Sequence, residues 1–139
     1  MPLERFVSAQ APVFDDVIGE LAAGRKLSHW MWFIFPQLAE LGRSDRARFY
    51  GVAGLDEAQA YLVHPLLGQR LRQCVRHVLA HTGKSAHDIF GSPDDVKFRS
   101  CLTLFHEASA DDDDRALFAE ALDAFYDGPD PLTLELLGA

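Results

Sequence analysis

Cysteine is scarce in this chain: only Cys74 and Cys101 occur in 139 residues, with neither small-scaffold nor zinc-finger spacing. Such a count argues against a disulfide-stapled scaffold and fits two free thiols in a reducing compartment. Long apolar runs are missing as well, and none approaches the length of a membrane span. The opening Met1-Pro2-Leu3-Glu4-Arg5 has neither the basic start nor the apolar stretch of a signal peptide. A cytoplasmic protein without a membrane partner is therefore expected. Basic charge is also in deficit, 13 Lys plus Arg against 21 Asp plus Glu, for a formal net charge of −8. That balance excludes extended nucleic-acid binding, which needs a basic face, but leaves room for a local basic pocket that holds one small anion. Glycine-rich phosphate loops, dinucleotide fingerprints, Gly-x-Ser-x-Gly elbows and CxxC pairs are all absent. No cofactor is expected from any of these patterns.

Alternating β-branched runs are nearly absent, and Phe49 to Ala53 is the one weak strand candidate. Helical punctuation is abundant instead. Val13, Phe14, Val17, Ile18 and Leu21 fall at helical spacing between Pro12 and Ala23, with Gly24 as the stop. Lys26 to Phe35 reads as an aromatic helix closed by Pro36, and a basic stretch, Arg43 to Arg48, follows Gly42. Asp56 and Glu57 open a helix through Leu62. Pro65 starts a longer one, faced by Leu67, Leu71, Val75, Val78 and Leu79. Ser85 to Phe90 makes about one turn. Ser92-Pro93-Asp94-Asp95 combines a capping hydroxyl, a proline and two acids, a strong helix start. A last long helix spans Arg115 to Tyr126 behind a solvated acidic run, Asp111 to Asp114, and Pro131 to Leu137 adds a terminal turn. With 48% apolar and 24% charged residues, the pattern predicts an all-α fold: a single compact multihelical domain over residues 1–139.

The stretch Ser28-His29-Trp30-Met31-Trp32-Phe33-Ile34-Phe35-Pro36-Gln37 stands out. It holds both tryptophans and is apolar nearly all round. Such a helix is expected to be buried on most sides and to carry its few polar groups inward, where they need partners.

Three segments together resemble a known family: His29 to Gln37, then Tyr61-Leu62-Val63-His64-Pro65-Leu66-Leu67-Gly68-Gln69-Arg70-Leu71, then Ile89-Phe90-Gly91 with Asp94, Asp95 and Lys97 through Phe105. In order and spacing they are similar to a family of small bacterial proteins catalogued as a domain of unknown function and often mislabelled calpastatin. The resemblance runs from about Leu3 to Leu134. It implies an all-helical domain and no established activity. The calpastatin label conflicts with the sequence, since that inhibitor is disordered and this chain is patterned for a core. Asp45 departs from the second small hydroxyl residue more usual beside Ser44, and Leu102 from a common methionine.

The candidate chemistry is spread over these motifs. His29 can act as general acid or base, as its ordinary pKa lies near neutrality; a buried histidine bonded to a carbonyl is the plain alternative. Trp30 and Trp32 can stack a ligand, or simply fill the core, and Gln37 adds an amide. Lys97 lies one helical turn from Asp94 and Ser100, so acid, amine and hydroxyl can converge, against the plainer reading of a core helix with a surface ion pair. His64, placed to reach the last carbonyls of its helix, and Arg70, suited to bidentate anion recognition, form a third group. A structural salt bridge is the ordinary role for Arg70. His77 and His81 share an i, i+4 face but lack a third ligand, so no metal is expected. Cys101 sits among leucines and reads as packing.

Two readings follow. One is a helical protein binding a small polar or nucleotide-like metabolite in an aromatic-lined pocket. In it Lys26, Arg70 or Lys97 meets the anion, and hydrolysis through His29 or Asp94 is the chemistry such a site would run. The alternative is a non-enzymatic interaction module whose aromatic motif is structural core. A pocket bordered by His29, Trp32 and Lys97 favours the first, and a large exposed apolar patch favours the second.

Overall fold

The computed structural model describes residues 3–139, and among them every regular element is a helix. In chain order these are α1 (Glu4–Gln10), α2 (Phe14–Ala22), α3 (Met31–Ile34), α4 (Asp45–Phe49), α5 (Leu55–Val63), α6 (Leu67–Leu79), α7 (Ala86–Phe90), α8 (Asp94–Ala108), α9 (Asp112–Phe125) and α10 (Pro131–Leu137), with a short 3₁₀ turn at Ala39–Leu41. No helix among the described residues is long and apolar enough to cross a membrane.

The fold is built around α8. Its residues Phe98 and Ser100 through Phe105 are all buried. A helix enclosed on every side needs neighbours on every side, and α5, α7, α9 and α10 supply them. Phe98 lies at the centre of an aromatic cluster, 4.7 Å between ring centroids from both Phe35 and Phe90 and 6.5 Å from Tyr126. The polar residues within α8 are satisfied locally: Thr103 Oγ1 donates to the Arg99 carbonyl at 2.9 Å.

The aromatic segment departs from its expected form. Only Met31–Ile34 is helical, and residues 25–30 run irregularly. The cause is competition for backbone donors. The Glu20 carboxylate takes the N–H groups of Leu27 and Ser28, at 2.6 and 2.9 Å, and the Ile89 carbonyl takes that of Lys26 at 2.8 Å. Trp30 and Phe35 still go inside, whereas His29 is exposed. The expected inward turn of every polar group in this segment is thus corrected.

Other differences are local. Helix α1 was not among the expected elements, and α4 lies within the basic stretch. The weak strand at Phe49 to Ala53 reduces to one parallel bridge between Leu38 and Val52. There Val52 N–H donates to the Gln37 carbonyl at 2.9 Å and Ala39 N–H to the Val52 carbonyl at 2.8 Å. This crossing sets where the chain turns after Pro36, and Gly51 permits it. A Cβ on Gly51 would lie 2.3 Å from the Ala39 Cα. Ser92 does not cap α8. Its hydroxyl donates to Asp95 Oδ1 at 3.3 Å, and Pro93 holds the cap position. Asp111 caps α9, but Asp114 turns inward and pairs with Arg72 Nε at 2.6 Å and Nη2 at 2.9 Å. The acidic run is therefore only partly a solvated helix start.

Candidate functional site

Charged and aromatic groups pack together where the irregular 25–30 segment meets α8. Gly24, at φ +75°, turns the chain out of α2, and the Glu20 carboxylate gathers the loop that follows. Besides the two backbone N–H groups it accepts from the Ser28 hydroxyl and, at 3.0 Å, from Trp30 Nε1. Burial draws the Glu20 carboxyl upward, but these hydrogen bonds outweigh it and hold its pKa below the ordinary value. Lys26 is thereby fixed with its ammonium 3.0 Å from Asp94 Oδ2 and 5.1 Å from the centre of the Trp30 ring. Lys97 approaches the other Asp94 oxygen at 3.8 Å and lies 5.7 Å from the Trp32 ring, which Arg46 also covers at 5.1 Å. One carboxylate is thus shared by two lysines, and the tighter contact is to Lys26.

In front of this cluster opens a cleft of about 420 Å³ between the chain after Pro36, α8 and α10. Gln37, Arg43, Ser44 and Ala47 form one side. Val96, Lys97 and Ser100 come from α8, while Asp130 and Leu132 come from the start of α10. Ser44 Oγ caps α4 by accepting from Ala47 N–H at 3.1 Å. Ser100 Oγ donates to Asp130 Oδ2 at 3.2 Å, and the same oxygen accepts from Thr133 N–H at 3.1 Å, which ties α10 to α8. Gln37 and Arg43 reach the cleft with side chains that make no hydrogen bond or ion pair among the described residues. A small void behind, walled by Trp32, Phe35 and Tyr50, shares Gln37, Ala47 and Lys97 with the cleft.

A second hollow, about 540 Å³, borders His64, Arg72, Asp111 and Asp114. It is larger, yet apart from the Gln59 amide its polar side chains are engaged. His64 Nδ1 accepts from Leu66 and Leu67 N–H at 3.1 and 3.2 Å, and Arg72 is committed to Asp114. The hydrogen bonds to Asp114 raise the Arg72 pKa. Near the start of α8, His87, Ser92 and Asp95 meet, but Ser92 Oγ at 3.3 Å and Asp95 Oδ2 at 3.5 Å both approach the same ring nitrogen, Nδ1. An imidazole relaying a proton needs its two partners on opposite nitrogens. Among the described residues no three His, Cys, Asp or Glu side chains group so that they could hold a metal ion.

The family described as Protein of unknown function (DUF1810) matches residues 1–137. The chain belongs to the DUF1810 family. A solved structure, the conserved hypothetical protein Rv1873 from Mycobacterium tuberculosis, is similar to it at 50% identity and a TM-score of 0.94, over 99% of this chain and 96% of that one. No functionally curated protein matches.

On this DUF1810 chain the residues singled out from sequence separate into distinct places. Gln37, Lys97 and Ser100 share the cleft, and Trp32 stands behind it. Asp94, Lys26 and Trp30 form the ion-paired support, with Trp30 only 1% exposed. His29 is exposed and lines none of these hollows. His64 lies in the other hollow and, contrary to expectation, caps the start of α6 rather than reaching the carbonyls of α5. Arg70 forms no salt bridge among the described residues. It donates to Gln10 Oε1 at 3.2 Å and packs over Phe14 at 4.7 Å. The three motifs thus do not share one pocket. Sequence reasoning missed Arg43, Ser44 and Asp130 as cleft residues. The basic run at 43–48 and the Asp130-Pro131 helix start were the available signals.

Proposed function

We propose that this protein binds a small anionic metabolite in the cleft between the 37–47 segment, α8 and α10. The observation that carries this is the meeting of two cations, Arg43 and Lys97, with the unpaired Gln37 amide in a space of about 420 Å³, a volume in the range of small-molecule sites. In a chain of net charge −8, such local positive charge selects the sign of the ligand. Binding is favoured over hydrolysis. His29 does not line the cleft, and neither does Asp94, which is ion-paired with Lys26 and Lys97. The interaction-module reading has less support, because the exposed apolar side chains are divided. Val63 borders one hollow, Leu27 another, and Val96 and Leu132 the cleft.

A thermal-shift screen of anionic metabolites tests the proposal. A ligand present at about 100 times its Kd stabilises the native state by roughly 2.7 kcal/mol. The expected result is a rise in Tm for the wild type that is lost in an Arg43→Ala, Lys97→Met double variant. Equal shifts in both proteins would overturn it.

A further inference from the structure

We propose that the ligand of the cleft is an amphipathic oxyanion: a phosphate or carboxylate head that meets Arg43 and Lys97, on a compact apolar body that covers Val96 and Leu132. This rests on the reading of the cleft as an anion site and narrows it to a chemical class. Three observations lead to it. Val96 and Leu132 are 59% and 50% exposed, and they come from two different helices to line the same cleft. An apolar ligand body would remove both from water. The Arg43 guanidinium has no partner among the described residues, so two oxygens of a carboxylate or phosphate meet a free fork of donors. Lys97 is the looser of the two lysines on Asp94, 3.8 Å against 3.0 Å for Lys26. With Lys26 retaining Asp94, the Lys97 ammonium is able to turn to the ligand.

The same geometry argues against a ligand read by base stacking. Trp30 is buried, and the Trp32 ring already carries Arg46 and Lys97. Neither indole lines the cleft, so the ligand body meets the aliphatic side chains of Val96 and Leu132. Asp130 repels an anion from the α10 end and favours the head beside Arg43.

The experiment titrates ¹⁵N-labelled protein with phenyl phosphate and phenylacetate, which carry the two head groups on one ring. Inorganic phosphate supplies a head alone, benzyl alcohol a body alone, and ribose 5-phosphate a head on a polar body. The proposal expects at least one of the two ring-bearing anions to bind about tenfold more tightly than each of the three controls. Which of the two binds better distinguishes a phosphate from a carboxylate head. Arg43→Ala and Leu132→Ser, both at exposed positions, are each expected to weaken that binding by about tenfold while leaving Tm unchanged. If ribose 5-phosphate or inorganic phosphate perturbs the cleft amides and binds as tightly as the ring-bearing anions, the amphipathic class is overturned and the anion site stands. If no probe perturbs the amides of residues 37–47 and 96–100, both readings fall.

Discussion

Removing the Glu20 carboxylate tests how the 25–30 segment is held against α8. Four hydrogen bonds end on this side chain, from Leu27 N–H, Ser28 N–H, the Ser28 hydroxyl and Trp30 Nε1. The first three are exposed, so water replaces them with little loss, roughly 0–1 kcal/mol together. The fourth is different. Trp30 is 1% exposed, and losing a charge-assisted acceptor for its indole N–H costs about 1.5–3 kcal/mol. Glu20→Ala should therefore lose about 2–3 kcal/mol of stability in urea unfolding at pH 7. Glu20→Gln keeps an oxygen for the indole and forgoes only charge assistance, for a loss of about 1 kcal/mol. The pH dependence follows from the lowered pKa. A carboxyl whose folded pKa lies below its unfolded value stabilises fully above the unfolded pKa, and this contribution fades as pH falls through the folded one. Wild type and Glu20→Gln should accordingly differ at pH 7 and converge below about pH 4. An alanine variant as stable as wild type at pH 7, or a gap between wild type and the glutamine variant that widens in acid, would refute the reasoning.

Phe98→Ala should cost about 3–5 kcal/mol, read as a lower urea midpoint, because the ring is fully buried between Phe35 and Phe90. His29→Gln should change stability by less than about 0.5 kcal/mol, since the side chain is exposed and makes no hydrogen bond among the described residues; a large fall in Tm would show a structural role. Cys74 and Cys101 should resist a thiol reagent at pH 8 until the protein is unfolded. Burial pushes the Cys74 thiol up to about 12 and raises that of Cys101 well above its ordinary value. Modification of the native protein at the rate of a free thiol would contradict that burial.

The helical architecture was legible because most elements announce themselves locally. The Pro131 start of α10 and the apolar face of α6 are written in residues a few positions apart. The aromatic segment was misread for a physical reason. Its apolar character correctly signalled burial of Trp30 and Phe35, but periodicity carries no information about Glu20, a distant carboxylate that takes the backbone donors a helix there would have used. The cleft was half legible. Lys97 and Ser100 share one face of α8, a relation fixed by helical spacing. Arg43 and Asp130 join them only through the Leu38–Val52 crossing and the Ser100–Asp130 bond. Those are long-range contacts that no local pattern encodes. Arg70 and His64 show the converse: residues chemically suited to a ligand are consumed by a buried glutamine and by a helix start.

The central claim is that the cleft, and not the larger hollow beside His64 and Arg72, is where this protein meets its ligand. The most direct measurement is a backbone amide map of ¹⁵N-labelled protein titrated with the most stabilising anion from the thermal screen. The account predicts saturable shifts at Gln37, Arg43, Ser44, Lys97 and Ser100, with His64, Arg72 and Asp114 unmoved. Shifts centred on His64, Arg72 and Asp114, with the cleft amides still, would contradict it.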